Sequence, residues 1–450
     1  MDLRGKHNIY FIGIGGIGMS ALARYFSVNG NKVAGYDRVR SGITDSLIDL
    51  GIEIHFEDDE NEIPLGFKNP KSTLVVYTPA IPNDHKELNY FKTKGFQVLK
   101  RSQVLGEITK NTFCLAVAGT HGKTTTTSIL GHLMNVCNEK VTAFMGGVSE
   151  NYNTNLILNG TEVTIVEADE FDRSFLTLFP DFICITSMDA DHLDIYGKVE
   201  ALEESFKAFT KQLKPNGKLF VRNGLPVKGI TYGIEDDSDY SIQNIKINSG
   251  TYVFDVITPK QTLKDVEFSL PGRHNLSNAL IALAMAVEYG CPHQQLVEAL
   301  ASYRGVKRRF TYQIKTEDLI FIDDYAHHPK EINAVHQAVR EMYPTKKIAA
   351  IFQPHLFTRT RDFADEFAEA LSDFDEVILL PIYPARELPI EGVTSEWLLH
   401  KIDNEKKVLV QKKKLISELE KRNLEVLVTI GAGDIGEEVK HIKEALQIAS

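Results

Sequence analysis

Tryptophan occurs once and cysteine four times in this 450-residue chain, and Cys114, Cys137, Cys184 and Cys291 form no Cys-x-x-Cys pair. That scarcity argues against a disulfide framework and a thiol-built zinc site, and the cysteines read as buried packing residues of a reducing compartment. Basic residues are outnumbered, 50 Lys and Arg against 61 Asp and Glu, for a formal net charge of -11. An acidic chain of this kind is expected to bind no nucleic acid, so anionic ligands must be met by local donors. No apolar run approaches the ~18 residues of a membrane span, and the polar stretch Met1–Ile9 has no signal-like apolar core. The expectation is a cytoplasmic protein without a membrane span. His-Glu-x-x-His and Gly-x-Ser-x-Gly motifs, low-complexity tracts and fixed-period repeats are also missing.

What remains is 43% hydrophobic and 25% charged, the balance of an ordinary globular protein. At ~100–200 residues per domain, the length predicts about three domains. Apolar runs at Asn8–Ile14, Lys32–Tyr36 and Thr73–Tyr77 alternate with helical spacing over Met19–Asn29, which predicts a parallel α/β domain over 1–105. A second domain over 106–303 opens with Phe113–Ala118, has strands at Thr164–Val166 and Phe182–Thr186, and later a long helix over Asn275–Tyr289. A third, over 304–450, alternates again: Leu319–Ile322, Ile348–Phe352, a helix from Arg361, Val377–Leu380 and Val426–Ile430. Its oligomeric state is open between monomer and homodimer.

Two glycine-rich loops stand at strand-to-helix junctions. The first, Gly13-Ile14-Gly15-Gly16-Ile17-Gly18, has Asp37 nineteen residues on. This is dinucleotide-site spacing, with helix N-terminal amides for a pyrophosphate. The cradle would suit any nucleoside diphosphate, and a packing role for its glycines is the plain alternative. The second, Gly119-Thr120-His121-Gly122-Lys123-Thr124-Thr125, adds an ammonium and a hydroxyl at the helix mouth, as a Mg²⁺-triphosphate requires. It is a tight variant, since Val117 stands where a Walker loop has its first glycine.

Acidic residues follow two strands: Glu167, Asp169, Glu170 and Asp172 after one, Asp189, Asp191, His192 and Asp194 after the other. Solvated acidic loops are the plain reading for the aspartates; Glu167 and His192 are the candidates to complete a Mg²⁺ shell with Thr124 and phosphate oxygens. Arg308-Arg309-Phe310, Asp323-Asp324-Tyr325-Ala326-His327-His328-Pro329 and Gln353 to Arg361 gather Arg and His beyond strand ends, a pattern suited to clamping phosphate or carboxylate.

Taken in order, these segments resemble the Mur ligase family over nearly the whole chain. They are Gly-Ile-Gly-Gly-Ile-Gly-Met-Ser at 13–20, Ala-Gly-Thr-His-Gly-Lys-Thr-Thr-Thr-Thr at 118–127, Glu-Ala-Asp-Glu at 167–170, Asp-His-Leu-Asp at 191–194, Pro-Gly-Arg-His-Asn at 271–275, Asp-Asp-Tyr-Ala-His-His-Pro at 323–329 and Phe-Gln-Pro-His at 352–355. The resemblance implies an N-terminal Rossmann-like domain, a central P-loop-type ATPase domain and a C-terminal Rossmann-like domain. It also reassigns the first loop, Gly15, Gly16, Ile17 and Gly18 with Asp37, to a UDP-sugar. Gly119 to Thr125 would hold ATP, with Lys123 on the β/γ-phosphates, and Thr124, Glu167 and His192 would set Mg²⁺, with Mn²⁺ as an alternative. Asn275 and Asn278 would face adenine, Arg309 the phosphates and Asp324 the ribose. Tyr325, His327 and Arg359 resemble a pocket for L-alanine. Lys123, His192, Arg309 and His327 would carry catalysis, in which UDP-N-acetylmuramate is joined to L-alanine through an acyl phosphate.

The chain departs from the family pattern at Phe171 and Arg173, where small residues are usual, at Ser187 for asparagine, and at Leu356 for arginine. Lys207 stands where some members carry a carbamylated lysine; between Phe206 and Phe209 it reads as the exposed face of an amphipathic helix. A sister ligase attaching a tripeptide to the same sugar nucleotide usually has Cys-Gly-Thr in its first loop, against which Gly-Gly-Ile argues. An NAD-dependent oxidoreductase would leave Gly-Lys-Thr-Thr idle. A non-catalytic nucleotide-binding regulator would have no use for His192, Arg309 and His327 together.

Overall fold

The computed structural model describes residues 5–189, 199–248, 250–385 and 387–449. It is an α/β fold with three sheets. The first contains β1 (Asn8–Ile12), β2 (Lys32–Tyr36), β3 (Glu53–His55), β4 (Thr73–Tyr77) and β5 (Gln97–Lys100), all parallel, in the order β3-β2-β1-β4-β5. Successive residues of β1 serve opposite faces, as the pleat requires. Ile9 and Phe11 enter one core, Tyr10 and Ile12 another, so both faces are covered.

The second sheet has ten strands: β6 (Phe113–Ala118), β7 (Val141–Phe144), β8 (Leu156–Leu158), β9 (Val163–Ala168), β10 (Phe182–Ile185), β11 (Lys218–Arg222), β12 (Ile230–Ile234), β13 (Tyr240–Asn248), β14 (Thr251–Ile257) and β15 (Thr262–Phe268). Its order is β15-β14-β13-β12-β11-β10-β6-β9-β7-β8. The parallel neighbours β9 and β10 therefore flank β6, which leads into the lysine loop. The third sheet, β16 (Thr311–Lys315), β17 (Ile320–Asp324), β18 (Ile348–Phe352), β19 (Glu376–Leu379), β20 (Lys407–Leu409) and β21 (Val426–Ile430), is ordered β16-β17-β21-β18-β19-β20. It is parallel except for the edge strand β16.

The chain forms two compact units, one of residues 1–246, 253–268 and 277–304, the other of 247–252, 269–276 and 305–450. In the first, one hydrophobic core joins Ile9, Phe11 and Leu74 of the first sheet to Cys114, Val166 and Ile183 of the second. The expected junction at 105/106 falls inside the helix Arg101–Lys110, whose Val104, Leu105 and Ile108 are buried in that shared core. All four cysteines are free and buried, as their scatter implied. Among the described residues no helix is long and apolar enough to cross a membrane.

Two expectations need correction. β9 runs on to Ala168, so Glu167 lies within the strand rather than after it. The single helix expected from Arg361 is two, Phe357–Asp362 and Ala364–Ser372, broken at Phe363. The strands β7, β8, β12, β13 and β15 carry too few uninterrupted apolar residues to announce themselves, and Asp and Asn within β13 and β15 mask the alternation.

A buried polar knot fastens the first sheet. Tyr10 Oη donates to Glu87 Oε2 at 2.7 Å and lies 2.7 Å from His55 Nε2. Burial pushes the Glu87 carboxyl up to about 8 and the Tyr10 phenol far above its ordinary value. With a folded-state value raised above the unfolded one, Glu87 favours folding at low pH, and that contribution is lost as pH rises from about 4.5 to about 8. Glu87→Gln, neutral throughout, is therefore expected to raise the melting temperature at pH 8 relative to the native chain and to change it little at pH 5. A thermal melt at both pH values checks this.

Candidate active site

The first glycine loop leaves β1 through Gly13, whose φ of +85° favours glycine, and enters the helix Ile17–Val28 with Gly16 as its N-cap. Asp37, at the end of β2, accepts a hydrogen bond from Gly15 N at 2.7 Å. A Cβ on Gly15 would lie 2.9 Å from Asp37 Oδ2, so the glycine is needed for that approach. Gly15 N and Gly16 N are already bound, to Asp37 and Gly13 O, and no side chain caps the helix, so the first-turn amides of Ile17 and Gly18 are the ones left to an anion. From the second sheet, Asn155 Nδ2 donates to Ile17 O at 2.6 Å and to Ser20 Oγ at 2.9 Å. No spacing or motif announces this contact.

The lysine loop turns at Gly119 and Gly122, with φ of +128° and +83°, and Lys123 begins the helix Lys123–Val136. Lys123 Nζ donates to Gly119 O at 2.6 Å and to both Glu170 oxygens at 2.9 and 2.8 Å. Burial pulls the ammonium down, but Glu170, Asp169 and Glu167 outweigh it and hold the pKa above the usual lysine value. Lys123 is therefore cationic at neutral pH and folded back over its own loop.

Thr124 Oγ1 donates to Glu167 Oε2 at 3.1 Å, and Gly146 N donates to Glu167 Oε1. Burial raises the Glu167 pKa, against the pull of Gly146 N–H, Lys123 and Thr124. A hydroxyl and a half-buried carboxylate side by side, beside an ammonium, are hard oxygen donors of the kind Mg²⁺ takes. Among the described residues no group of three or more His, Cys, Asp and Glu could hold a metal, so the remaining ligands would come from phosphate and water. His192, with Asp191 and Asp194, lies outside the described residues.

Two residues just after β10 shape the loop, Thr186 and Ser187, the latter marked in the sequence only as a departure from the family pattern. Ser187 Oγ lies 2.8 Å from Thr120 Oγ1 and accepts from His121 N at 2.9 Å; Thr186 Oγ1 donates to Ala118 O at 3.1 Å and also to His121 O. Ser187→Ala would strand a buried amide and hydroxyl, at a cost of about 1–3 kcal/mol. A denaturant titration should register that loss; an unchanged midpoint would show the bonds to be dispensable. Thr125 is buried one turn on. Asn278, on the helix Arg273–Tyr289, packs against the loop: a Cβ on Gly122 would lie 2.5 Å from its Oδ1, which also accepts from Thr126 Oγ1 at 3.2 Å. Asn275, one turn earlier, donates to Pro271 O at 2.7 Å.

In the second unit, the Arg308 and Arg309 guanidinium carbons lie 5.2 and 5.1 Å from the centre of the Tyr325 ring, the aromatic face answering both cations. Arg308 also donates to Gly431 O at 2.6 Å and pairs with Asp323 at 3.3 Å. Tyr325, His327 and His355 follow edge to face at 5.4 and 6.1 Å. His327 Nδ1 lies 3.0 Å from Tyr325 O. Burial, with Arg359 and Arg309, holds this imidazole below its ordinary pKa against the pull of Glu331. Neutral, with Nδ1–H donating to a carbonyl, it presents Nε2 as an acceptor. Asp324, the expected ribose ligand, accepts from Phe310 N and Ala326 N, each at 2.7 Å, and burial pushes its carboxyl up to about 6. Its carboxylate thus braces the Arg309 turn. Lys207 is exposed and 3.7 Å from Glu203, as an amphipathic helix surface predicts, while Phe206 and Phe209 are buried.

One unit holds the two glycine loops and the half-buried Thr124–Glu167 pair, the other the Arg–His–Tyr cluster. Family models described as "Mur ligase family, catalytic domain", "Mur ligase middle domain" and "Mur ligase, glutamate ligase domain" match residues 8–112, 117–286 and 308–446. The chain is 60% identical over 446 residues to a UDP-N-acetylmuramate–L-alanine ligase of Christiangramia forsetii, covering 99% of each, and 46% identical to the protein of that name from Parabacteroides distasonis, covering 99% of this chain and 98% of the relative. The crystal structure of a UDP-N-acetylmuramate-alanine ligase from Thermotoga maritima superposes with a TM-score of 0.82 at 28% identity, over 98% of this chain and 100% of that one. A murein peptide ligase from Psychrobacter arcticus shares the fold, with a TM-score of 0.69 at 22% identity over 98% of each chain.

Proposed function

The chain belongs to the Mur ligase family, and we propose that it joins L-alanine to the lactyl carboxylate of UDP-N-acetylmuramate at the expense of ATP, in the making of peptidoglycan precursors in the cytoplasm. The observation that carries this reading is that both anion cradles share one compact unit with the Thr124–Glu167 pair, beside full-length relatives of that name at up to 60% identity.

Ile17 and Gly18 would present backbone amides to the UDP diphosphate, while Asp37 holds Gly15 in place so that the loop can approach it. Lys123, poised by Gly119 O and Glu170, turns to the β/γ-phosphates of ATP. Thr124 and Glu167 would hold Mg²⁺, with His192 as a further proposed ligand; bound there, the ion would neutralise charge on the phosphates. A lactyl carboxylate oxygen then attacks the γ-phosphorus and ADP leaves, giving an acyl phosphate. The amine of L-alanine attacks the acyl carbon, loses a proton, and phosphate departs as the amide forms. By the family resemblance, Arg309 would meet phosphate oxygens, and Tyr325, His327 and Arg359 would receive the amino acid. The chain's part is alignment and electrostatics rather than covalent chemistry.

The test is phosphate release from Mg²⁺-ATP and UDP-N-acetylmuramate with L-alanine, D-glutamate or the tripeptide as acceptor. Release with L-alanine, and a product heavier by an alanyl residue, is the expected result. Release with the tripeptide alone would move the chain to the sister ligase, and none with any acceptor would reduce it to a nucleotide binder.

A further inference from the structure

We propose that Arg101 is a substrate-binding residue that grips an anionic oxygen of the sugar nucleotide at the junction of the two cradles; the proposal rests on the sugar-nucleotide reading of the first loop. Arg101 follows directly on β5 and opens the helix Arg101–Lys110, so it stands just beyond the carboxyl end of a parallel strand, where open α/β sheets bind ligands. Its guanidinium lies on the last glycine of the first cradle. A Cβ built on Gly18 would come 2.7 Å from Arg101 Nη1 and 3.1 Å from Cζ, so a methyl there would have to push the guanidinium aside. The same side chain lines a small cleft with Ser102, Glu167, Asp169 and Ser174. One residue thus touches the proposed diphosphate loop and shares a cleft with the carboxylate proposed to hold the metal.

The half-buried guanidinium makes no hydrogen bond or ion pair with any described residue, although two carboxylates share its cleft. Five N–H donors held partly out of water with no partner are costly unless a ligand completes them. The planar fork matches the paired oxygens of a phosphate or a carboxylate. UDP-N-acetylmuramate carries both, a diphosphate and a lactyl carboxylate, and either would satisfy it.

Calorimetric titration of the full chain and its R101Q variant with UDP, UDP-N-acetylglucosamine and UDP-N-acetylmuramate tests this. R101Q should weaken UDP-N-acetylmuramate about 10- to 100-fold, the worth of a charge-assisted hydrogen bond. Equal loss for all three ligands assigns the guanidinium to the diphosphate; loss confined to UDP-N-acetylmuramate assigns it to the carboxylate. Unchanged binding of all three would overturn the proposal, whereas a native chain that binds none would overturn the sugar-nucleotide reading beneath it. Gly18→Ala gives an independent check, since its methyl group displaces the guanidinium. In that background R101Q should cost little more, and full additivity of the two losses would contradict the contact.

Discussion

Lys123→Ala should lower turnover by about 10³-fold or more, because a preorganised charge aimed at a transferring phosphoryl group is worth several kcal/mol in a water-poor site. The structure sharpens the expectation. Lys123 is held by Gly119 O and by both oxygens of Glu170, which is itself buried. Truncation removes the cation and leaves Glu170 buried without its ion pair, so a stability loss should accompany the activity loss. Lys123→Arg separates the two: it keeps a cation for Glu170 but cannot reproduce the compact ammonium on the loop. Its melting temperature should stay near native while turnover remains low. Initial rates and thermal melts of both variants check this, and near-native turnover in Lys123→Ala would remove the lysine from the chemistry.

Glu167→Gln should be nearly as damaging, about 10² to 10³-fold in turnover. The amide keeps the volume of the side chain but places a donor where Thr124 Oγ1 or Gly146 N already donates. More telling is the metal dependence: with a proposed Mg²⁺ ligand neutralised, half-maximal activity should require a higher Mg²⁺ concentration. A Mg²⁺ titration of initial rates reads this, and an unshifted midpoint would argue that Glu167 acts only by bracing Thr124 and Gly146.

Both predictions concern residues that could be read in the sequence, and the reason is physical. A phosphate cradle is local chemistry: strand, tight turn and helix mouth follow one another within a dozen residues, so Gly15 to Gly18 and Gly119 to Thr125 announce themselves. Glu167 was legible because a buried strand rarely ends in a carboxylate without a partner. What escaped came from elements far apart in the chain. Ser187 and Thr186 reach the lysine loop from β10, Asn155 reaches Ile17 from before β8, and Arg101 reaches Gly18 from after β5. No spacing rule links such pairs; only the order of strands brings them together. Asp324 is the converse case. Its place at a strand end was clear, but the amides of Phe310 and Ala326 that it serves emerge only once the turn at Arg309 is built. The mixed part of the second sheet was equally opaque, because β13 and β15 interleave polar residues with the apolar ones.

The central claim, that the γ-phosphoryl group of ATP passes to the lactyl carboxylate before the amide forms, is tested most directly with UDP-N-acetylmuramate whose carboxylate carries heavy oxygen. Turnover with ATP and L-alanine followed by mass analysis of the released phosphate should find a single heavy oxygen in each phosphate and the other retained in the amide. Phosphate free of the label would contradict the account, since the carboxylate would then never have attacked phosphorus.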